Sequence, residues 1–560
     1  MQYAIVVTED TWKAAYRLVN HVLRSGADVA WTQDDATVGR VSTGMDVDIP
    51  RGSFLVTVPE GMPSPPNGNI QAVTDVRSGY LTPMHAARVA VYGGGGAPFH
   101  HLALLRDLGF VADPIMPAQI RDGALANYTA FVMPGGGWHA MQGQLCALGH
   151  DGCATVAAFV RAGGLYLGSC AGAYDAALVP PSFHTVCPEQ RAMQLINADV
   201  WNGADVTWGG LQSPGIGVLE VEVTQPTHPV LANVPRRFHM THYNGPLFLP
   251  TDTVIPDASP AQGLVRVHGL TERFTPSERF LASEAPAGPA LAARAAAAGI
   301  FNVVAGTLGA GAVLLCGSHP EFGLDLSLDG VGVGALLLAN ALAWHTHDQS
   351  APTEPVWPSA SAPIGTAVAH ARARVLQLKQ AVGRLTTINA TPQWWLDPHY
   401  SLSQFGYAPG EIWPLELRRL EMRAREIDAC LDRLEARVVV LDESAVSAVV
   451  PRIVRDLTYR PAAIEEQDGG YQGVASLLDS AVTLLETASQ RLSAPAPARP
   501  TQPYEEAATN PYHLAVGSYL AASGLVAGAA LLLRSNEALL RDTATMRNEH
   551  SMEPAMMGGV

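Results

Sequence analysis

The chain opens with an unbroken apolar run at positions 3–7, YAIVV, which reads as a buried strand. Ala15, Leu18, Val19, Val22 and Leu23 then recur at helical intervals, and Gly26 follows as a stop. Short apolar runs at 29–31 and 54–58 read as strands and complete a small α/β unit. A stretch rich in Pro, Gly and Ser, 61–84, reads as a loose end to that unit. The pattern restarts at Arg88. RVAVY is a strand, GGGG (93–96) a turn, and 98–108 a short helix with Leu102, Leu105 and Leu108 on one face. AFVMP (130–134) is a strand, 154–162 a helix and GLYLGSC a third strand, and the stretch 300–318 supplies another strand, GAVLLCGS. Strands alternating with helices predict a mostly parallel sheet with helices on both faces.

Residues 347–364 contain four prolines and few core residues, and read as a linker. Beyond it the period changes. Ile364, Val368, Ala371, Val375, Leu378, Val382 and Leu385 alternate by four and three, as do Leu417, Leu420, Ala424, Ile427, Leu431, Leu434 and Val438. These are heptad seams of two long helices. Two more helices are expected at 470–492 and 511–546, around a second Pro-rich linker at 494–503. The division is therefore 1–84, a small α/β domain; 85–346, a larger α/β domain; 347–364, the linker; and 365–560, a helical bundle that offers a surface for homo-oligomers. The stretch 511–533 contains no Asp, Glu, Lys or Arg, and its length suits a membrane span. Charge favours a buried bundle helix instead: Glu505 and Glu506 precede the stretch while Arg534 and Arg541 follow it, which would export some 500 residues.

The N-terminus does not read as a signal peptide, so a cytoplasmic location is expected, with membrane association through 511–533 as the alternative. Lys plus Arg is 35 and Asp plus Glu is 51 in 560 residues, a formal net charge of -16. An acidic chain without a basic run is a poor nucleic-acid binder. The six cysteines, at 146, 153, 170, 187, 316 and 430, form no CxxC pair, and neither a disulfide framework nor a zinc ribbon is expected. Cys430 is read as exposed. His239-x-x-His242 and His345-x-His347 lack a third ligand nearby, so they read as satisfied or surface histidines. No metal and no cofactor is expected.

Three motifs carry candidate chemistry. Gly168-Ser169-Cys170-Ala171-Gly172 follows a strand and precedes a helix, the arrangement of a nucleophile on a sharp elbow. Alone, it reads rather as a small buried cysteine in an Ala/Gly-rich segment. Ser318-His319-Pro320-Glu321 follows the late strand, and places a base and its orienting carboxylate two residues apart. Pro134-Gly135-Gly136-Gly137 ends another strand, where glycines let backbone N–H groups approach a ligand oxygen.

P-G-G, then G-x-C-x-G, then H-P-E resembles the class I glutamine amidotransferase-like superfamily over about residues 87–345. The likeness is greatest to the variant at the N-terminus of some biotin–protein ligases, whose mid-domain signature is similar to Tyr243-Asn244-Gly245-Pro246. The resemblance implies a doubly wound, flavodoxin-like sheet. It implies Cys170 as nucleophile, His319 as base and Glu321 as orienter. The N–H groups of Ala171 and of Gly136 or Gly137 would form the oxyanion hole, and Tyr243 and Asn244 would bind substrate. The chain carries no P-loop or synthetase segment, and it lacks a biotin ligase's glycine- and arginine-rich motif, so biotinylation is not implied. The first 60 residues resemble a module that precedes amidotransferase-like domains in some zinc-carboxypeptidase-type proteins, without a carboxypeptidase zinc motif. The expected activity is a Cys-His-Glu hydrolase acting on a carboxamide or related C–N bond of a small molecule or peptide. The alternative is a catalytically silent binding or scaffold protein that oligomerises through its helices.

Overall fold

In the computed structural model the first apolar run becomes strand β1 (Gln2–Ile5), followed by helix α1 (Trp12–Arg24). The structure describes residues 2–41, 46–58, 70–136, 140–179, 181–185, 187–201, 215–243, 245–252, 254–271, 275–276, 299–323, 332–345, 363–389, 412–439, 441, 443–461, 470–493 and 511–550. The linkers expected at 347–364 and 494–503 fall almost wholly outside these.

The N-terminal unit holds more strands than its apolar runs announce. β2 (Asp28–Thr32), β3 (Ala36–Arg40), β4 (Asp46–Ile49), β5 (Phe54–Thr57), β6 (Ile70–Ser78) and β7 (Leu81–Met84) join β1 in one sheet of order β4-β3-β6-β1-β5-β2-β7. All its pairings are antiparallel. The stretch expected to be loose thus carries two strands. Apolar and polar residues are interspersed along Ile70–Ser78, and Val73 joins a small core with Ala4, Val38 and Leu55. α1 covers the sheet's other face: Tyr16 is fully buried, meets Phe54 edge-on at 5.2 Å and donates to Asn340 Oδ1 at 2.7 Å.

The second sheet begins with β8 (Arg88–Tyr92), β9 (Val111–Ile115), β10 (Ala130–Met133) and β11 (Leu165–Ser169). It continues with β12 (Ala198–Trp201), β13 (Gly215–Val223), β14 (Arg237–Tyr243), β15 (Leu247–Pro250), β16 (Gln262–Leu270), β17 (Thr275–Pro276), β18 (Phe301–Leu308) and β19 (Gly311–Cys316). Five strands in the order β9-β8-β10-β11-β19 are parallel. β8, β10, β11 and β19 read as largely apolar runs because both faces are covered, whereas β9 carries the buried Asp113. Val89, Val91, Leu165, Leu167, Ala312 and Leu314 enter one core, whereas Ala90, Tyr92, Tyr166, Val313 and Leu315 enter another. Helix α2 (Pro98–Asp107) packs on the first face, while α3 (Pro117–Arg121) and the helical run α4 (Ala140–Arg161) pack on the second. Beyond β19 the sheet turns antiparallel, through β18, β16, β13 and β14. The single strand expected within 300–318 is a hairpin. Gly309, at φ +59, reverses the chain between β18 and β19.

After α5 (Ala171–Ala176) and α6 (Ala335–Trp344) come α7 (Ile364–Asn389), α8 (Ile412–Val438), α9 (Glu443–Thr458), α10 (Val474–Ser493) and α11 (Pro511–His550). α7 packs against α8 and α10, and α11 packs against the same two. The expected seams are the buried faces: Val368, Ala371, Val375, Leu378, Val382 and Leu385 on one helix, Leu420, Ala424, Ile427, Leu431 and Leu434 on the other. Cys430 belongs to the second seam and is buried, contrary to expectation, because it lies three residues after Ile427 on the same stripe. Within 511–533, Tyr519, Ala522, Val526, Ala529, Ala530, Leu532 and Leu533 are buried. No helix among the described residues is long and apolar enough to cross a membrane.

Candidate active site

β10, β11 and β19 are neighbours in parallel, so the residues that follow them meet at one edge of the sheet. Those residues are Pro134-Gly135-Gly136, Cys170 and Ser318-His319. A crevice outside the carboxyl ends of parallel strands is where α/β sheets place ligands.

Cys170 sits at φ +50 and ψ −111, between β11 and α5. A non-glycine residue with positive φ is uncommon, and here the surroundings hold it in place. Its N–H donates to Cys316 O at 2.9 Å, and its own carbonyl accepts from Ala173 and Tyr174 at 3.0 and 3.1 Å. The glycine spacing of the motif is steric. A Cβ on Gly172 would stand 2.1 Å from Met133 O, so any other residue would push α5 off β10. Gly135 answers the same demand from the other side. A Cβ there would lie 2.5 Å from Cys170 Cβ and 2.7 Å from His319 Cε1, so the P-G-G turn passes directly against both side chains.

His319 is fixed from three directions. Its backbone N–H donates to Thr241 O at 2.8 Å, its ring stacks on Phe322 at 4.2 Å, and its Nδ1 pairs with Glu321 Oε1 at 2.7 Å. Its Cε1 and the Cys170 Cβ both lie against Gly135, so the ring and the thiol side chain are neighbours across that turn. Cys170, His319 and Glu321 are 7%, 2% and 3% exposed. Burial opposes a charge on His319, but Cys170 and Glu321 outweigh it and raise its pKa well above the ordinary imidazole range. Burial likewise opposes the Glu321 charge, and His101 and His319 outweigh it, so the carboxyl stays ionised far below its usual range.

A second ring of polar groups supports these. His101, from α2, lies 2.8 Å from Ser169 Oγ and 3.6 Å from Glu321 Oε2, so the carboxylate stands between two imidazoles. Ser318 Oγ accepts from Asn302 Nδ2 at 2.8 Å and pairs with His242 Nδ1 at 3.0 Å. The sequence gives little notice of His101, His242 or Asn302 as site residues. Two adjacent histidines in the apolar PFHHLALL are the only local signal for the first. His239 and His242 are three apart on β14, so one is exposed and the other buried against Ser318. His345 approaches Gly163 O at 3.0 Å.

Among the expected oxyanion donors, Ala171 and Gly136 border Cys170 and the P-G-G turn, and Gly136 has φ +86. Gly137 and Asn244 lie outside the described residues, as does the side chain of Tyr243. Their neighbour Gly245 does reach the elbow: a Cβ on it would fall 3.2 Å from Cys170 Cα.

The profile of the N-terminal domain of biotin–protein ligase matches residues 109–179, which include the P-G-G turn and the Cys170 elbow. This segment has the character of that domain type, and the match ends before His319. No curated protein matches the chain. Among solved structures, a cytoplasmic protein from Salmonella typhimurium is 13% identical, with 46% of this chain and 98% of that one covered at a TM-score of 0.28. PurLQS from Thermotoga maritima is also 13% identical, with 46% and 99% covered at a TM-score of 0.29. These two likenesses are too distant to assign a reaction.

Proposed function

We propose that the chain is a glutamine amidotransferase-like cysteine hydrolase that cleaves a carboxamide or related C–N bond. The observation that carries this reading is His319, whose Nδ1 pairs with Glu321 Oε1 at 2.7 Å while its ring and the Cys170 side chain lie against the same glycine, Gly135. Cys170 Sγ attacks the carbonyl carbon, with its thiol proton held on His319. The carbonyl oxygen takes the negative charge and is met by the N–H groups of Ala171 and of Gly136 or Gly137. The C–N bond breaks, and His319 returns the proton to the departing ammonia. Water then attacks the thioester, His319 takes its proton, and the acid leaves as the thiol re-forms. Glu321 orients the ring throughout. Tyr243 and Asn244 contact the substrate.

The same reading takes the five parallel strands as a doubly wound, flavodoxin-like sheet spanning a domain of residues 85–346. That domain stands between the small α/β unit of 1–84 and, after a linker at 347–364, the helical region of 365–560. The helices supply a homo-oligomeric contact, and the chain works in the cytoplasm on a small-molecule or peptide amide. A second reading, a catalytically silent binding protein, draws on the burial of Cys170 and His319.

Ammonia release from glutamine and a panel of simple carboxamides separates the two. Cys170→Ala abolishes release while shifting the melting temperature little, since the elbow already carries Ala171 and Ala173. His319→Ala behaves likewise, and Glu321→Gln costs less, because it disturbs orientation alone. Release that persists in Cys170→Ala defeats the hydrolase reading. No release by any variant, with partner binding or self-association weakened by the substitution, favours the silent one.

A further inference from the structure

The α4 run breaks at Gly149, where φ is +66, and Cys146 lies on the turn before the break, exposed at the surface. Cys187 is buried and immediately precedes the short 3-10 turn Pro188–Met193, which carries the half-buried Glu189. The fold brings these distant positions together. The sulfurs of Cys146 and Cys187 and a carboxylate oxygen of Glu189 all lie within 4.8 Å of one another, with Cys187 Sγ 3.6 Å from Glu189 Oε2. It is the one such trio among the described residues.

We propose that Cys146, Cys187 and Glu189 form a binding site for a thiophilic divalent cation, zinc(II) by class. Two sulfurs bound to one tetrahedral zinc at ~2.3 Å stand about 3.8 Å apart, and a carboxylate oxygen bound at ~2.0 Å stands closer still to each. The observed separations need only small side-chain movements to meet that geometry. Two thiolates exclude magnesium and calcium, which take oxygen ligands. Three protein ligands with one of them at the surface leave the fourth position to water. On binding, the two thiols release their protons to solvent.

The site has a mechanical consequence. Gln190, on the same turn, donates from Nε2 to Asp175 O at 3.1 Å and to Ala177 O at 2.7 Å, at the end of the elbow helix α5. A cation shared by Cys146 and Cys187 would tie α4 to the turn that holds α5 from behind. The inference stands independently of any reaction at Cys170.

Cobalt(II) titration of the full chain, freed of metal and kept reduced, tests it. One equivalent binds with thiolate-to-cobalt charge-transfer absorption, zinc(II) bleaches the spectrum, and zinc raises the melting temperature. Cys146→Ser and Cys187→Ser each weaken binding by at least ~100-fold, and Glu189→Gln by about tenfold or more. Cys146 is exposed, so its variant folds even where that of Cys187 does not. Cys170→Ala keeps the full spectrum, which separates this site from the elbow thiol. No charge-transfer band in the reduced chain, or a band that survives Cys146→Ser, overturns the proposal. So does a Cys146–Cys187 disulfide as the resting state of freshly isolated protein.

Discussion

Cys170 shows what small residues contribute to this chain. Its backbone is held at φ +50 only because Gly172 and Gly135 leave room for β10 and for the P-G-G turn. The three motifs that bring Cys170, His319 and Glu321 to the elbow were legible, because motif order along the chain survives without coordinates. Their support was not. His101 reaches Ser169 across 68 positions and His242 reaches Ser318 across 76, and no local pattern encodes either pairing. These histidines also set the acid response. Burial depresses His100 and His242 to about 3 and, with a lesser contribution from Arg51, His228 to about 4. Their unfolded forms take up protons below about pH 6.5 that the folded forms refuse, so stability falls as pH falls through that window. Each costs about 2 kcal/mol by about pH 5. His319 has the opposite sign: its raised pKa contributes stability that is nearly complete by pH 7 and is lost on the alkaline side, so it offsets under about 1 kcal/mol of this loss. Denaturant melts should therefore show a net loss of a few kcal/mol between about pH 7 and pH 5, with a shallower slope in His242→Gln. A flat profile would contradict the burial of these rings as neutral groups.

At the scale of elements, periodicity was a sound guide wherever one face is buried along a whole helix or strand. The seams at 364–385 and 417–438 fell into place because a heptad stripe has few other ways to hide. The strands within 70–84 escaped notice because polar residues interrupt their apolar positions, and their pairing depends on β1, β2 and β3 rather than on their own composition. α9 escaped because Pro451 interrupts it. Yet α9 carries the charge cluster that joins the helices to the sheet. Asp456 accepts from Arg106 Nη1 at 2.7 Å and from Arg455 Nε at 3.1 Å, and Tyr471 donates to it as well. Arg455 also reaches Asp113 on β9 at 3.2 Å. All of these groups are buried, so Asp456→Ala would leave Arg106 and Arg455 without their shared partner. A loss of about 3–5 kcal/mol in urea-denaturation stability is expected. A loss under about 1 kcal/mol would mean that water enters the cluster.

Over the whole molecule, one continuous apolar core runs from α1 through the sheet to α11. The helical region does more than append to the α/β part. Tyr471 N–H donates to Gly93 O at 2.8 Å and Gly470 N–H to Gly96 O at 3.0 Å, so the segment before α10 caps the GGGG turn after β8. α2, which follows that turn, presents His101 to Glu321, Arg106 to Asp456 and Phe99 to Gly528 of α11. The helices and the candidate site thus share one element, a link that composition and periodicity could not reveal. In the proposed hydrolase, the elbow thiol beside His319 is the reactive group. Peptide mapping after brief iodoacetamide treatment at neutral pH measures this directly. Cys170 is expected to be carbamidomethylated ahead of the five other cysteines, the exposed Cys146 included, and His319→Ala to slow it about tenfold or more. Equal rates at Cys170 in the two proteins, with Cys146 modified first in both, would contradict it.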